Sequence, residues 1–249
     1  MTNLEFVEKI KDIADNYKTS YMLGCWGFLT NDANISYSVG RKGLNNSRFR
    51  AGAESIKNDG WMFDCVCLIK SVLWHFEGNK NKPRGGGATY NSNGVPDIGA
   101  DQMIKVCREV STDFTKLEVG EVVWVTGHIG VYVGGGKVVE CTPKWSVAPD
   151  GVKYTNLANQ GFTSGRSRKW TKHGKLPYIE YVKDGVESMT KEELKEFIEV
   201  TVKNMGVGEP ADNWAKSVVE NVKFSDGSNP KKLATRQEVM VMIDRALKE

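Results

Sequence analysis

The chain has 249 residues, 40% hydrophobic and 26% charged, which excludes an intrinsically disordered chain and leaves room for one catalytic domain plus a small module. A net charge of +3 is too mild to predict a nucleic-acid partner, and no stretch approaches the roughly 20 apolar residues of a membrane span. Five cysteines (Cys25, Cys65, Cys67, Cys107 and Cys141) are an odd number in a chain of this size, which argues against a disulfide framework. The pair Cys65 and Cys67 has no second close pair to complete a zinc site, so neither a metal nor another cofactor is expected.

In chain order, residues 3–18 read as an amphipathic helix with Val7, Ile10, Ala14 and Tyr17 on one face. They lack the apolar core of a signal peptide, and a cytoplasmic protein is expected. Residues 24–60 are rich in Gly, Asn, Ser and Asp and read as loops with short irregular pieces. Val66 to Phe76 is an apolar run, expected to be a buried helix with Cys65 at its start. Residues 78–100 again look like loop, and Asp101 is placed to cap a helix reaching about Val110. Strands follow at Val122–Val125, His128–Val133 and Lys137–Cys141, the last two joined through Gly134-Gly135-Gly136. A further strand, Tyr178 to Val182, is expected to close the domain.

Helices followed by antiparallel strands indicate an α+β domain over residues 1–182. Residues 183–189 read as a linker, and residues 190–249 as a small module of three amphipathic helices. Two of these open on capping boxes, Thr190-Lys191-Glu192-Glu193 and Thr235-Arg236-Gln237-Glu238. So small a module buries little core alone, which allows a homo-oligomer.

A thiol hydrolase needs a thiolate, a base, a group that orients the base, and donors for an oxyanion. Cys65 stands where a helix N-terminus would stabilise a thiolate. Of three histidines, His75 lies ten residues further along the predicted helix, about 15 Å away. His173 sits in the basic run Arg166 to Lys175 and reads as a surface residue. His128 heads a strand in the sheet and is the candidate base. If Gly134 to Gly136 form a three-residue loop, Gly130 faces Glu140, and residues 128 and 140 become diagonal neighbours on one face. A two-residue loop would put them on opposite faces. Were Glu140 more than about 6 Å from the His128 ring, Asp64 or His173 would have to be considered in its place.

Three segments now carry a resemblance. Phe63-Asp64-Cys65-Val66-Cys67-Leu68-Ile69, Gly127-His128-Ile129-Gly130-Val131-Tyr132-Val133-Gly134 and Val139-Glu140, with Tyr21-Met22-Leu23-Gly24 upstream, resemble the NlpC-type cell-wall cysteine peptidases. These are papain-like hydrolases common among bacterial autolysins and phage endolysins. The resemblance spans roughly residues 15–182 and implies N-terminal helices packed on an antiparallel sheet. It also implies Cys65 as nucleophile, His128 as base, Glu140 in the orienting place, and Tyr21 and Asp64 on the substrate side. The third place is often a histidine in that family, and a carboxylate there matches the related CHAP-type amidases. The residue two past the nucleophile is often glycine, and here it is Cys67.

The implied activity is peptidoglycan hydrolysis, at the stem-peptide bond after D-glutamate or, alternatively, between muramic acid and L-alanine. An enzyme without a signal peptide would then be an endolysin acting on the wall after release. Other expectations on the same scaffold are an acyltransferase and a wall-binding protein without activity. Asn213-Trp214-Ala215-Lys216, Asp226-Gly227, Pro230 and Thr235-Arg236-Gln237-Glu238 resemble a single S-layer homology repeat, which implies a secondary cell-wall polymer as a further partner.

Overall fold

The computed structural model describes residues 1–143, 150–157 and 169–182. The chain divides into units Met1–Val182 and Lys183–Glu249. The linker, the three-helix module and its expected wall-polymer partner, and residues 166–168 at the start of the basic run lie outside the described residues. Among the described residues the first unit is a mixed α+β fold of five α-helices and two sheets.

Helix α1 (Asn3–Asn16) is closed at its start by a capping box between Thr2 and Glu5, and it buries Phe6, Val7, Ile10 and Ile13. Strand β1 (Lys18–Tyr21) follows and pairs in parallel with β3 (Gly60–Phe63), which is flanked on its other side by antiparallel β2 (Trp26–Leu29). The expectation of loops over residues 24–60 is corrected here. The segment contains β2, the nine-residue helix α2 (Asp32–Gly40) and the short helix α3 (Arg50–Glu54). Its polar residues hold structure from inside. Asn34 Nδ2 donates to the carbonyls of Leu29 and Pro83, and Thr30 Oγ1 donates to those of Ile56 and Gly60. The Asn46 side chain bonds both the amide and the carbonyl of Leu23. Buried Asn and Thr are tolerated when backbone groups satisfy them, so a loop-like composition hid ordered elements.

Helix α4 (Cys65–Leu73) is buried on every face. It packs against α1, β2 and two strands of the larger sheet. It stops three residues short of the expected end in a Schellman arrangement: Phe76 N–H reaches Ser71 O and His75 N–H reaches Val72 O, with His75 left-handed at φ 68°. Lys70, buried on this helix, pairs with Asp97, whose other oxygen accepts the Tyr90 hydroxyl at 2.6 Å. The Trp74 indole N–H donates to Val95 O at 2.9 Å. These bonds tie the long segment 78–100 to α4.

Gly85 lies against the Trp26 ring with φ +93°, and a Cβ there would meet the ring at 2.1 Å. Gly85→Ala is therefore expected to lower unfolding stability by at least about 1–3 kcal/mol, measured by urea denaturation. An unchanged midpoint would mean that this loop does not rest on Trp26.

After α5 (Ala100–Val106) the larger sheet runs in the order β4-β9-β5-β6-β7-β8 and is antiparallel throughout. Its strands are β4 (Arg108–Ser111), β5 (Val122–Val125), β6 (His128–Gly134), β7 (Lys137–Thr142), β8 (Gly151–Asn156) and β9 (Lys172–Lys175). Helix α5 is shorter than expected, with Gly99 at its N-cap and Asp101 in its first turn. The strand expected over Tyr178 to Val182 is absent; Glu180 makes only an isolated bridge to Thr2, and β9 closes that side of β5. Among the described residues no helix is long and apolar enough to cross a membrane.

Candidate active site

Cys65 is the first residue of α4 and 7% exposed. It stands there because β3 ends at Phe63 and Asp64 caps the helix. Asp64 Oδ1 accepts the Cys67 amide at 2.7 Å, and Oδ2 accepts the Gly24 amide at 2.6 Å. Expected on the substrate side, Asp64 thus already fastens the Gly24 turn to the start of α4. Each carboxylate oxygen retains a second acceptor site. Tyr21 pairs with Phe63 in the β1–β3 ladder, which sets it beside the α4 start, and its ring packs edge-on against Phe49 at 5.0 Å. Burial pushes the Tyr21 hydroxyl well above its ordinary pKa, and the neighbouring Cys65 and Asp64 push the same way.

His128 opens β6 and Glu140 lies on β7, both strands against α4. Their side chains meet, with His128 Nε2 2.5 Å from Glu140 Oε2 and Glu140 fully buried. The register comes about differently from the expected three-residue loop. Gly134 pairs with Lys137, so the turn is the two-residue Gly135-Gly136. An irregularity between Tyr132 and Gly134 then shifts the ladder by one, and Tyr132 faces Val138. A bulge adds one residue to one strand and so reverses which face each later side chain takes. It offsets the short turn and returns His128 and Glu140 to one face. Cys141, next to Glu140, points the other way, its thiol donating to Phe63 O at 3.4 Å; β7 thus meets the chain two residues before Cys65.

Two residues unnoticed in the sequence complete this arrangement. Thr155 on β8 donates its hydroxyl to Glu140 Oε1 at 2.8 Å. Trp170 stacks on the His128 ring, centroids 5.5 Å apart and planes 18° apart. A threonine in a strand carries no motif, while the tryptophan inside a basic run was the one available signal. Thr155→Val preserves shape and removes the donor to Glu140. It is expected to cost about 1–3 kcal/mol in urea unfolding, and no change would show that Glu140 draws nothing from that bond.

The other thiols sit in different surroundings, and none of the five cysteines is in a disulfide. Burial pushes Cys25 and Cys107 up to about 12, and Cys67 and Cys141 well above the ordinary thiol value. His75 is exposed beyond the end of α4. His173, expected at the surface, is instead 2% exposed on β9. Its Nδ1 pairs with Glu121, and its Nε2 donates to Asp113 O at 3.0 Å. With both ring nitrogens engaged away from α4, this second His–Glu pair braces β9 against the start of β5. Burial raises the Glu121 carboxyl, an effect His173 only partly offsets.

No family model and no curated protein matches the chain. Among solved structures it is similar to NlpC1 from Trichomonas vaginalis, with 12% identity over 70% of this chain and 44% of that one, at a TM-score of 0.35. It is similar to NlpC2 of the same organism, with 11% identity over 70% and 46%, at 0.34. The P60 domain of an antigen from M. avium subspecies paratuberculosis gives 16% identity over 72% of this chain and 98% of that one, at 0.37. The chain spans less than half the length of the two Trichomonas vaginalis chains.

Proposed function

We propose that this chain is a thiol hydrolase cutting an amide bond in the peptide part of peptidoglycan, with Cys65 as nucleophile, His128 as base and Glu140 as orienter. The observation that carries the reading is the buried 2.5 Å His128–Glu140 contact on strands packed against the helix that Cys65 begins.

A carboxylate accepts only, so Glu140 holds the ring proton on Nε2 and leaves Nδ1 to take the Cys65 proton. The positive end of α4 favours the thiolate that results. Attack on the carbonyl carbon gives a tetrahedral oxyanion, and backbone N–H groups at the start of α4 are its donors. His128 returns the proton to the departing amine as the C–N bond breaks, leaving a thioester on Cys65. Water, deprotonated by His128, then attacks the thioester and releases the acid and the thiol. The stacked Trp170 keeps solvent from one face of the imidazole throughout.

Tyr21 and Asp64 beside Cys65 fit recognition of a free stem-peptide amine, which favours the bond after D-glutamate. A carboxylate in the third place equally fits an N-acetylmuramoyl-L-alanine amidase, the second reading. Digestion of purified Gram-positive peptidoglycan, with mass spectrometry of the released fragments, separates them. Fragments ending in D-glutamate support the first and intact stem peptides freed from muramic acid the second. Absence of any fragment across several wall types would overturn both.

A further inference from the structure

We infer that Asp101 is a positioning residue for His128, a role resting on the assignment of His128 as base. Strands β5 and β6 are joined by only Thr126 and Gly127, with Val125 paired to His128, so the base is the first residue after the turn. Gly127 has φ 75°, while Thr126 is not among the residues of positive φ. Tight hairpins favour turns with positive φ at the first central residue, alone or with the second, because those match the twist of the strands. A positive φ at the second alone is the less favoured turn, one that tends to splay its strands, so a contact from outside the turn helps to hold it.

Asp101 makes that contact. Its Oδ1 accepts the Gly127 amide at 2.7 Å and the Trp124 indole N–H at 2.9 Å, one donor from the turn and one from β5. Asp101 itself is exposed, and its helix α5 packs on β5, β6 and α4. One oxygen therefore links the residue before His128 to a helix in contact with the one that carries Cys65. Asp101, expected as the helix cap, leaves that place to Gly99 and directs its carboxylate to the turn.

The test measures the rate of Cys65 alkylation by iodoacetamide against pH, and kcat and KM for release of peptidoglycan fragments, in the wild type, Asp101→Ala, Asp101→Asn and His128→Ala. Asp101→Ala is expected to lower both the alkylation rate near pH 6 and kcat by about 10- to 100-fold, with KM and the thermal midpoint little changed. Asp101→Asn keeps an acceptor oxygen and is expected to restore most of both. Wild-type behaviour of Asp101→Ala would overturn the inference, as would an Asn variant as poor as the Ala variant. If the wild type leaves peptidoglycan intact while alkylation still falls in both His128→Ala and Asp101→Ala, the positioning role stands and the wall substrate falls. If alkylation ignores His128, the base assignment and the inference fall together.

Discussion

Cys65→Ser is expected to reduce fragment release from peptidoglycan by roughly 10³-fold or more, because a hydroxyl in place of the thiol leaves the nucleophile un-ionised and the helix end without a thiolate to stabilise. The variant changes one atom at the first position of α4, and the cap from Asp64 bonds the backbone of Cys67 instead, so the fold is expected to be kept. Cys107→Ser is the matched control. Cys107 is the least buried of the other four cysteines, and its thiol donates to Met103 O at 3.2 Å, far in the chain from the α4 start. Its rate is expected to equal that of the wild type. Residual activity in Cys65→Ser within tenfold of wild type would remove Cys65 from the chemistry.

The second large effect is expected for Glu140→Gln. The glutamine amide is nearly isosteric, and its oxygen can still accept the Thr155 hydroxyl. Its nitrogen would then face His128 Nε2 as a donor. That favours the tautomer with the proton on Nδ1, where it cannot take the proton of Cys65. A fall in kcat of roughly 100- to 10,000-fold is expected, with KM little changed. Deletion of the side chain in Glu140→Ala would confound this with a cavity, since the position is fully buried. A Gln variant with wild-type kcat would mean that the 2.5 Å contact holds the strands together and leaves the ring's tautomer free.

Much of this arrangement could be read from the sequence, and the remainder was hidden for identifiable reasons. Strands β5, β6 and β7 announced themselves as apolar β-branched runs punctuated by glycine. The neighbouring relation of His128 and Glu140 followed from alternation, although the route to it did not. A three-residue loop and a two-residue turn with a bulge give the same facing pairs, and the pairing of Gly134 with Lys137 separates them. Helix α2 escapes composition because Asn34 is buried with its amide on the Leu29 and Pro83 carbonyls and Ser38 is buried against the Cys25 thiol, whereas composition reads such residues as solvent-facing. Edge strand β4 is exposed over Arg108–Val110 and has no apolar rhythm to detect. His173 looked like part of a basic surface; its burial depends on Glu121, 52 residues earlier, a pairing that spacing alone does not reveal. Thr155 and Trp170 support the candidate pair from β8 and from the segment before β9, so their contribution exists only once the sheet order is known.

The most direct test of the account is competition among the five thiols. Iodoacetamide at a single equivalent near pH 6 should label Cys65, located by peptide mass spectrometry, and fragment release should fall in step with labelling. Simple exposure favours Cys107, yet a thiol held up to about 12 is thiolate to only on the order of one part in a million at that pH. A single adduct on Cys65 with matching loss of activity is the predicted result. Label spread over Cys107 and the others, or a protein labelled at Cys65 that still releases fragments at the wild-type rate, would contradict it.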